Sequence, residues 1–121
     1  MMGRTVAVSL ESVWKAGEAL PGVVRATAWG SPALKLRGQL MACVPTHKSA
    51  EPGSVMVRVD RRGREAMLAE RPDLFYVTDH YVGYDAVLVR LAACDAAMVR
   101  ELLGMAHRFV GKKAGRAGGR Q

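Results

Sequence analysis

The chain has 121 residues, half of them hydrophobic and 24% charged, a composition that suits one folded domain with its own core and excludes a disordered polar chain. No apolar run approaches the ~18 residues of a membrane span, and Cys43 and Cys94, both in apolar company, form neither a disulfide framework nor a metal-ligand spacing. The formal net charge of +7 favours a polyanionic partner, and it is uneven: residues 1–50 carry six basic and two acidic side chains (+4), residues 51–110 eight and nine (−1), and residues 111–121 four and none (+4).

At the start, "MMGRTVAVSLESVWK" holds a short apolar run that Glu11 and Trp14 interrupt, so the expectation is a reduced, cytoplasmic protein without a signal peptide. Ser9 caps a predicted amphipathic helix in which Leu10, Val13, Trp14, Gly17 and Leu20 share one side, and Pro21-Gly22 ends it. Four short alternating segments follow, "VVRATAW", "ALKLRG", "QLMACV" and "SVMVRVD", separated by "GSP", Gly38 and the polar loop "PTHKSAEPG". Short strands joined by short turns imply an antiparallel meander.

"RRGREAMLAE" (61–70) reads as a short helix burying Ala66, Met67 and Leu68 and ending before Pro72. "FYVTDHYVGYDAVLVRL" (75–91) holds four of the seven aromatic residues and reads as two strands joined by a loop. In that loop Asp79 can form an Asx-turn and Gly83 can take a positive φ, while His80, Tyr81 and Tyr84 pack or hydrogen-bond to fix it. Asp95 caps a last helix whose stripe of Met98, Leu102, Ala106, Phe109 and Val110 faces the core, with Arg100, Gly104, His107 and Arg108 turned to water. The order α-β-β-β-β-α-β-β-α predicts a single two-layer α+β domain over residues 1–110, an antiparallel sheet with helices on one face, followed by a flexible basic tail over residues 111–121.

Strand alternation sorts residues into covered and open positions. Val24, Ala26, Ala28, Leu34, Leu36, Leu40, Ala42, Val44, Val55, Val57, Val59, Phe75, Val77, Val87, Val89 and Leu91 are expected to face the helices. The open face then carries Arg25, Lys35, Arg37, Arg58 and Arg90 beside Thr27, Trp29, Gln39, Met41, Met56, Tyr76, Thr78 and Leu88. Water-facing strands usually mix signs, so five cations with two aromatic rings point to phosphate contact and base stacking. Lys112 and Lys113 in the tail extend the same charge. The competing reading makes Trp29, Met41 and Met56 a protein-interaction or homodimer contact.

The chain resembles the MmcQ/YjbR family over roughly Leu20 to Val110. The resemblance rests on Leu20-Pro21-Gly22, "WGSPALKLRGQL" (29–40), "VRVD" (57–60), the spacing of Arg64 to Leu68 and above all "FYVTDHYVGYDAVLVRL". It implies a CyaY-like, double-wing α/β fold and a DNA-binding label, with no catalytic residues to carry over. Gln39 and Met41 stand where that pattern commonly has a Lys and a Phe, and His107 where it has a Trp.

Enzymatic chemistry is not expected. Asp79 and His80 are adjacent, and adjacent side chains rarely form a base-and-orienter pair. His47, His80 and His107 lack metal-ligand spacing, so neither a metal nor another cofactor is expected. Arg61-Arg62-Gly63-Arg64 is either an anion clamp at a helix start or a solvated turn. Together these features predict a non-enzymatic module that binds nucleic acid, DNA first, with low sequence specificity and no membrane association.

Overall fold

A computed structural model describes the backbone of residues 8–119 and the side chains through Lys113. The expectations for the first residues and for the last tail cations lie outside that range. The chain forms α1 (Leu10–Glu18), β1 (Val23–Ala28), β2 (Ser31–Leu36), β3 (Gln39–Cys43), β4 (Ser54–Arg58), α2 (Arg61–Glu70), β5 (Phe75–Tyr76), β6 (Ala86–Arg90) and α3 (Ala96–Gly119), in the order the sequence predicts. The strands make one six-stranded antiparallel sheet ordered β1-β2-β3-β4-β6-β5. No helix among the described residues is long and apolar enough to cross a membrane.

Local signals set the helix starts. Ser9 accepts a hydrogen bond from the Ser12 amide (3.1 Å), Asp60 from that of Arg62 (3.1 Å) and Asp95 from that of Met98 (2.8 Å), each satisfying an amide the first turn leaves free. α3 continues past residue 110 to Gly119, so much of the segment expected as a loose tail is helical. His107, expected to face water, is half-buried and bonds the Pro21 carbonyl through Nε2 (2.8 Å).

The main core lies between the sheet and the helices. Leu34, Leu36, Val55, Val57, Val87 and Val89 pack against Val13 and Trp14 of α1 and Leu102, Leu103, Ala106 and Val110 of α3. Each fully buried aliphatic side chain contributes roughly 1.5–3 kcal/mol.

Two strands depart from the expected alternation. In β1, Val23 enters the core and Val24 is 57% exposed, so Ala26 and Ala28 also lie on the face away from the helices. Two adjacent valines make either phase possible by hydrophobicity, and Arg25 decides between them. Its guanidinium bonds Glu11 (2.6 and 3.1 Å) and Glu18 (2.8 Å) of α1, which fixes it on the helix side. In β3 the ladder runs from Lys35↔Leu40 to Leu34↔Ala42, leaving Met41 as the extra residue of a bulge. Met41 and Ala42 both enter the main core, and Leu40 moves to the opposite face.

That opposite face is covered in part, where the sequence predicts it open. Ala33, Cys43, Met56, Ala86 and Leu88 form a second buried cluster beneath Tyr81. The cover consists of the loops 44–53 and 77–85.

Candidate functional site

The two covering loops are tied together by side chains that strands and turns deliver. Thr78 O accepts the amides of Tyr81 and Val82 (2.9 and 2.8 Å), winding loop 77–85 into a turn that drives the Tyr81 ring into the second cluster. The Tyr81 hydroxyl accepts the His47 amide (3.0 Å), Ser49 Oγ meets Thr78 Oγ1 (2.8 Å), and the Tyr76 hydroxyl accepts the Glu51 amide (2.7 Å) while sharing a hydrogen bond with Ser54 Oγ (2.6 Å). The His47 and His80 rings stack at 3.7 Å with 6° between planes. From α2, buried Arg64 donates to the carbonyls of Val82 (3.2 Å), Tyr84 (2.9 Å) and Ala86 (3.0 Å), and Arg61 bonds Asp85 (2.6 Å) and the Gly83 carbonyl. The expected Asx-turn is replaced by the Thr78 carbonyl, and Gly83 is not among the glycines with positive φ.

Between these loops and the first hairpin lie two joined hollows. One, of about 320 Å³, is bounded by Trp29, Tyr84, His80, His47 and Thr46 over a floor of Met56 and Tyr81. The other, of about 460 Å³, shares Trp29, Met56 and Tyr84 and adds Gln39, Arg58, Arg61 and Asp85. Trp29 is 67% exposed and Tyr84 44%, so both are solvent-exposed aromatic residues at this surface. Beyond Arg58, its guanidinium (5.6 Å) and the Lys113 ammonium (5.2 Å) both approach the Phe109 ring, which with Lys112, Lys113 and Asp60 lines a further shallow hollow.

The predicted contact residues are thereby divided. Arg25 lies on the helix side, and Glu11 and Glu18 raise its pKa while it holds Glu11 below the usual carboxylate range. Arg90 grips Glu51 with two bonds (2.8 Å each), lowering the Glu51 pKa, and its guanidinium stacks 4.3 Å from the Tyr76 ring. Tyr76 is committed to its hydroxyl partners and that stack. Trp29 and Arg37 occupy turns instead of strand faces, each with φ of 52°. Lys35 is half-buried on the face away from the helices, and Arg37, Lys112 and Lys113 are exposed. Arg58 is half-buried, its Nε on the Asp85 carbonyl (3.0 Å) and its Nη groups without a hydrogen bond among the described residues.

Of the arginine run, Arg61 and Arg64 clamp the protein's own loop. The sequence reading missed His47, Thr46 and Phe109 as neighbours of this surface, because nothing in a loop histidine's spacing signals a partner ring 33 positions further on. Burial pushes the thiols of Cys43 and Cys94 up to about 11, which keeps both protonated and poorly nucleophilic.

An open antiparallel sheet with helices on one side and loop-walled hollows on the other defines a small two-layer α+β domain. The profile of the YjbR family matches residues 18–109, and the chain belongs to that family. Uncharacterised proteins of Mycobacterium tuberculosis and Mycobacterium bovis are 34% identical to it over 94 residues, covering 74% of this chain and 65% of theirs, so the chain spans about two thirds of their length. A crystal structure of a Deinococcus radiodurans protein with a DUF419 domain shares the fold, with a TM-score of 0.70 at 18% identity over 88% of this chain and 80% of that one.

Proposed function

We propose that this domain is a cytoplasmic, non-enzymatic binder of nucleic acid, DNA in the first instance, with little sequence specificity. The observation that carries the reading is the pair of neighbouring hollows that share Trp29, Met56 and Tyr84, with Trp29 and Tyr84 exposed and Arg58 in the lining, and with Lys112 and Lys113 beyond Arg58 around Phe109 and Asp60. Aromatic faces beside unpaired cations suit a chain of bases and phosphates. Lys35 in β2 and Arg37 in the turn after it add further charge, while Arg25 and Arg90 are assigned structural roles because carboxylates already neutralise them. The DNA-binding label that accompanies the family resemblance agrees with this reading.

Titrating labelled DNA at several salt concentrations tests it. Affinity falls steeply with salt and drops further in an Arg37→Glu, Arg58→Glu double variant. If deleting residues 111–121 abolishes binding and the double variant binds normally, the hollow and its cations are not the interface. The exposed Trp29 ring also suits a protein partner or second copy, although Met41 is buried in the main core and contributes nothing to such a contact. A solution dimer that buries Trp29 and ignores DNA would favour that second reading.

A further inference from the structure

We infer that the hollow between Trp29, Tyr84 and His80 holds an unpaired nucleobase, so that the domain prefers single-stranded to duplex nucleic acid. The inference rests on the nucleic-acid reading above and names the part of the polymer that this surface takes.

The walls carry the first reason. Trp29, Tyr84 and the His47–His80 stack supply aromatic rings, Met56 and Tyr81 are its buried members, and no carboxylate lines this hollow among the described residues. Its polar residues are Thr46, Tyr84, His47 and His80, hydroxyl and imidazole types suited to the edge of a planar heterocycle whose faces are left to stacking. In a duplex, base faces are already stacked on one another, and only an unpaired base presents them to a pocket.

The second reason is preorganisation. Loop 44–53 is cross-bonded to loop 77–85 and the end of β5 at His47 to Tyr81, Ser49 to Thr78 and Glu51 to Tyr76, so bonds within the protein fix the walls of the hollow. The third is the backbone of Trp29. In the two-residue Trp29-Gly30 turn both residues have positive φ (52° and 77°), the geometry that favours Asn at the first position and disfavours a bulky ring. A tryptophan kept there, largely exposed, gains nothing for the turn; it places an indole at the rim of the hollow. The adjoining hollow then offers Arg58, whose Nη groups have no hydrogen bond among the described residues, to the phosphate of the same nucleotide or the next, while Arg61 stays paired with Asp85.

The test measures fluorescence anisotropy with a labelled oligothymidylate and with a blunt duplex, at low salt, alongside the protein's tryptophan emission. Wild type binds the single strand more tightly than the duplex, with quenching that Trp29→Asn abolishes while buried Trp14 continues to report the fold. Trp29→Asn and Tyr84→Ala each lower single-strand affinity roughly 5- to 100-fold and lower duplex affinity by a smaller factor. Because asparagine suits the left-handed turn, Trp29→Asn raises the melting temperature, which a structural role for the indole would reverse. Equal binding of strand and duplex, with both variants unaffected, overturns the base pocket and leaves nucleic-acid binding intact. Failure of the wild type to bind either polymer overturns both readings.

Discussion

Arg64, only 4% exposed, holds the carbonyls of Val82, Tyr84 and Ala86 with one guanidinium and has no carboxylate partner among the described residues. A planar fork reaches several acceptors at once, and a lysine ammonium does not. Arg64→Lys is therefore expected to cost about 2–3 kcal/mol and to speed hydrogen exchange at the amides of Tyr81–Tyr84, measured by denaturant melts and exchange mass spectrometry. His47 has a different vulnerability. Its Nδ1 accepts the Ser49 amide (3.1 Å) and lies 2.8 Å from Ser49 Oγ, so protonating that nitrogen forfeits the amide bond. Desolvation, then the neighbouring His80 and Lys48, hold its pKa below the ordinary histidine value. The unfolded chain thus binds this proton more readily: stability is full above about pH 6.5 and declines as pH falls through the lowered pKa. His47→Asn should flatten stability against pH in that window, with denaturant midpoints as the readout; an unchanged slope would assign the dependence elsewhere. Glu11, Glu51 and Asp73, also held low by arginines, lose their contributions further down the pH scale.

At the scale of elements, α1 lies close enough to β2 that a Cβ on Gly17 would stand 2.3 Å from Leu34 Cδ1, and Leu34 is fully buried. Gly17→Val should therefore lower stability by about 1–3 kcal/mol despite the better helix propensity of valine, and a thermal melt no lower than wild type would show that the helix can shift outward. The helix itself was legible from Ser9, the apolar spacing and Pro21-Gly22. The phase of β1 was not, since Val23 and Val24 are equally apolar and the choice depends on Glu11 and Glu18 arriving from another element. The β3 bulge is likewise a product of pairing: Met41 reads as one more alternating position until β2 fixes its neighbours.

For the whole molecule, charge available to a polyanion is smaller than charge in the sequence. Of the seven predicted contact cations, Arg25 and Arg90 are ion-paired, and Lys35, Arg37, Arg58, Lys112 and Lys113 carry no ion pair among the described residues. If each of those five neutralises one phosphate of a single strand, the slope of log affinity against log salt in the titration above approaches about −3.5, against about −5 for all seven. Arg25→Gln should leave that slope unchanged. The sequence by itself determined the element order, the Ser9 and Asp95 caps, the two-layer α+β class and the family, because those depend on local periodicity and short motifs. Only the tertiary structure decided which cations remain available, which face each ambiguous strand buries, and that His47, Trp29 and Tyr84 share one hollow. Those outcomes depend on side chains distant in sequence competing for the same partners, and alternation along a single strand carries no record of that competition.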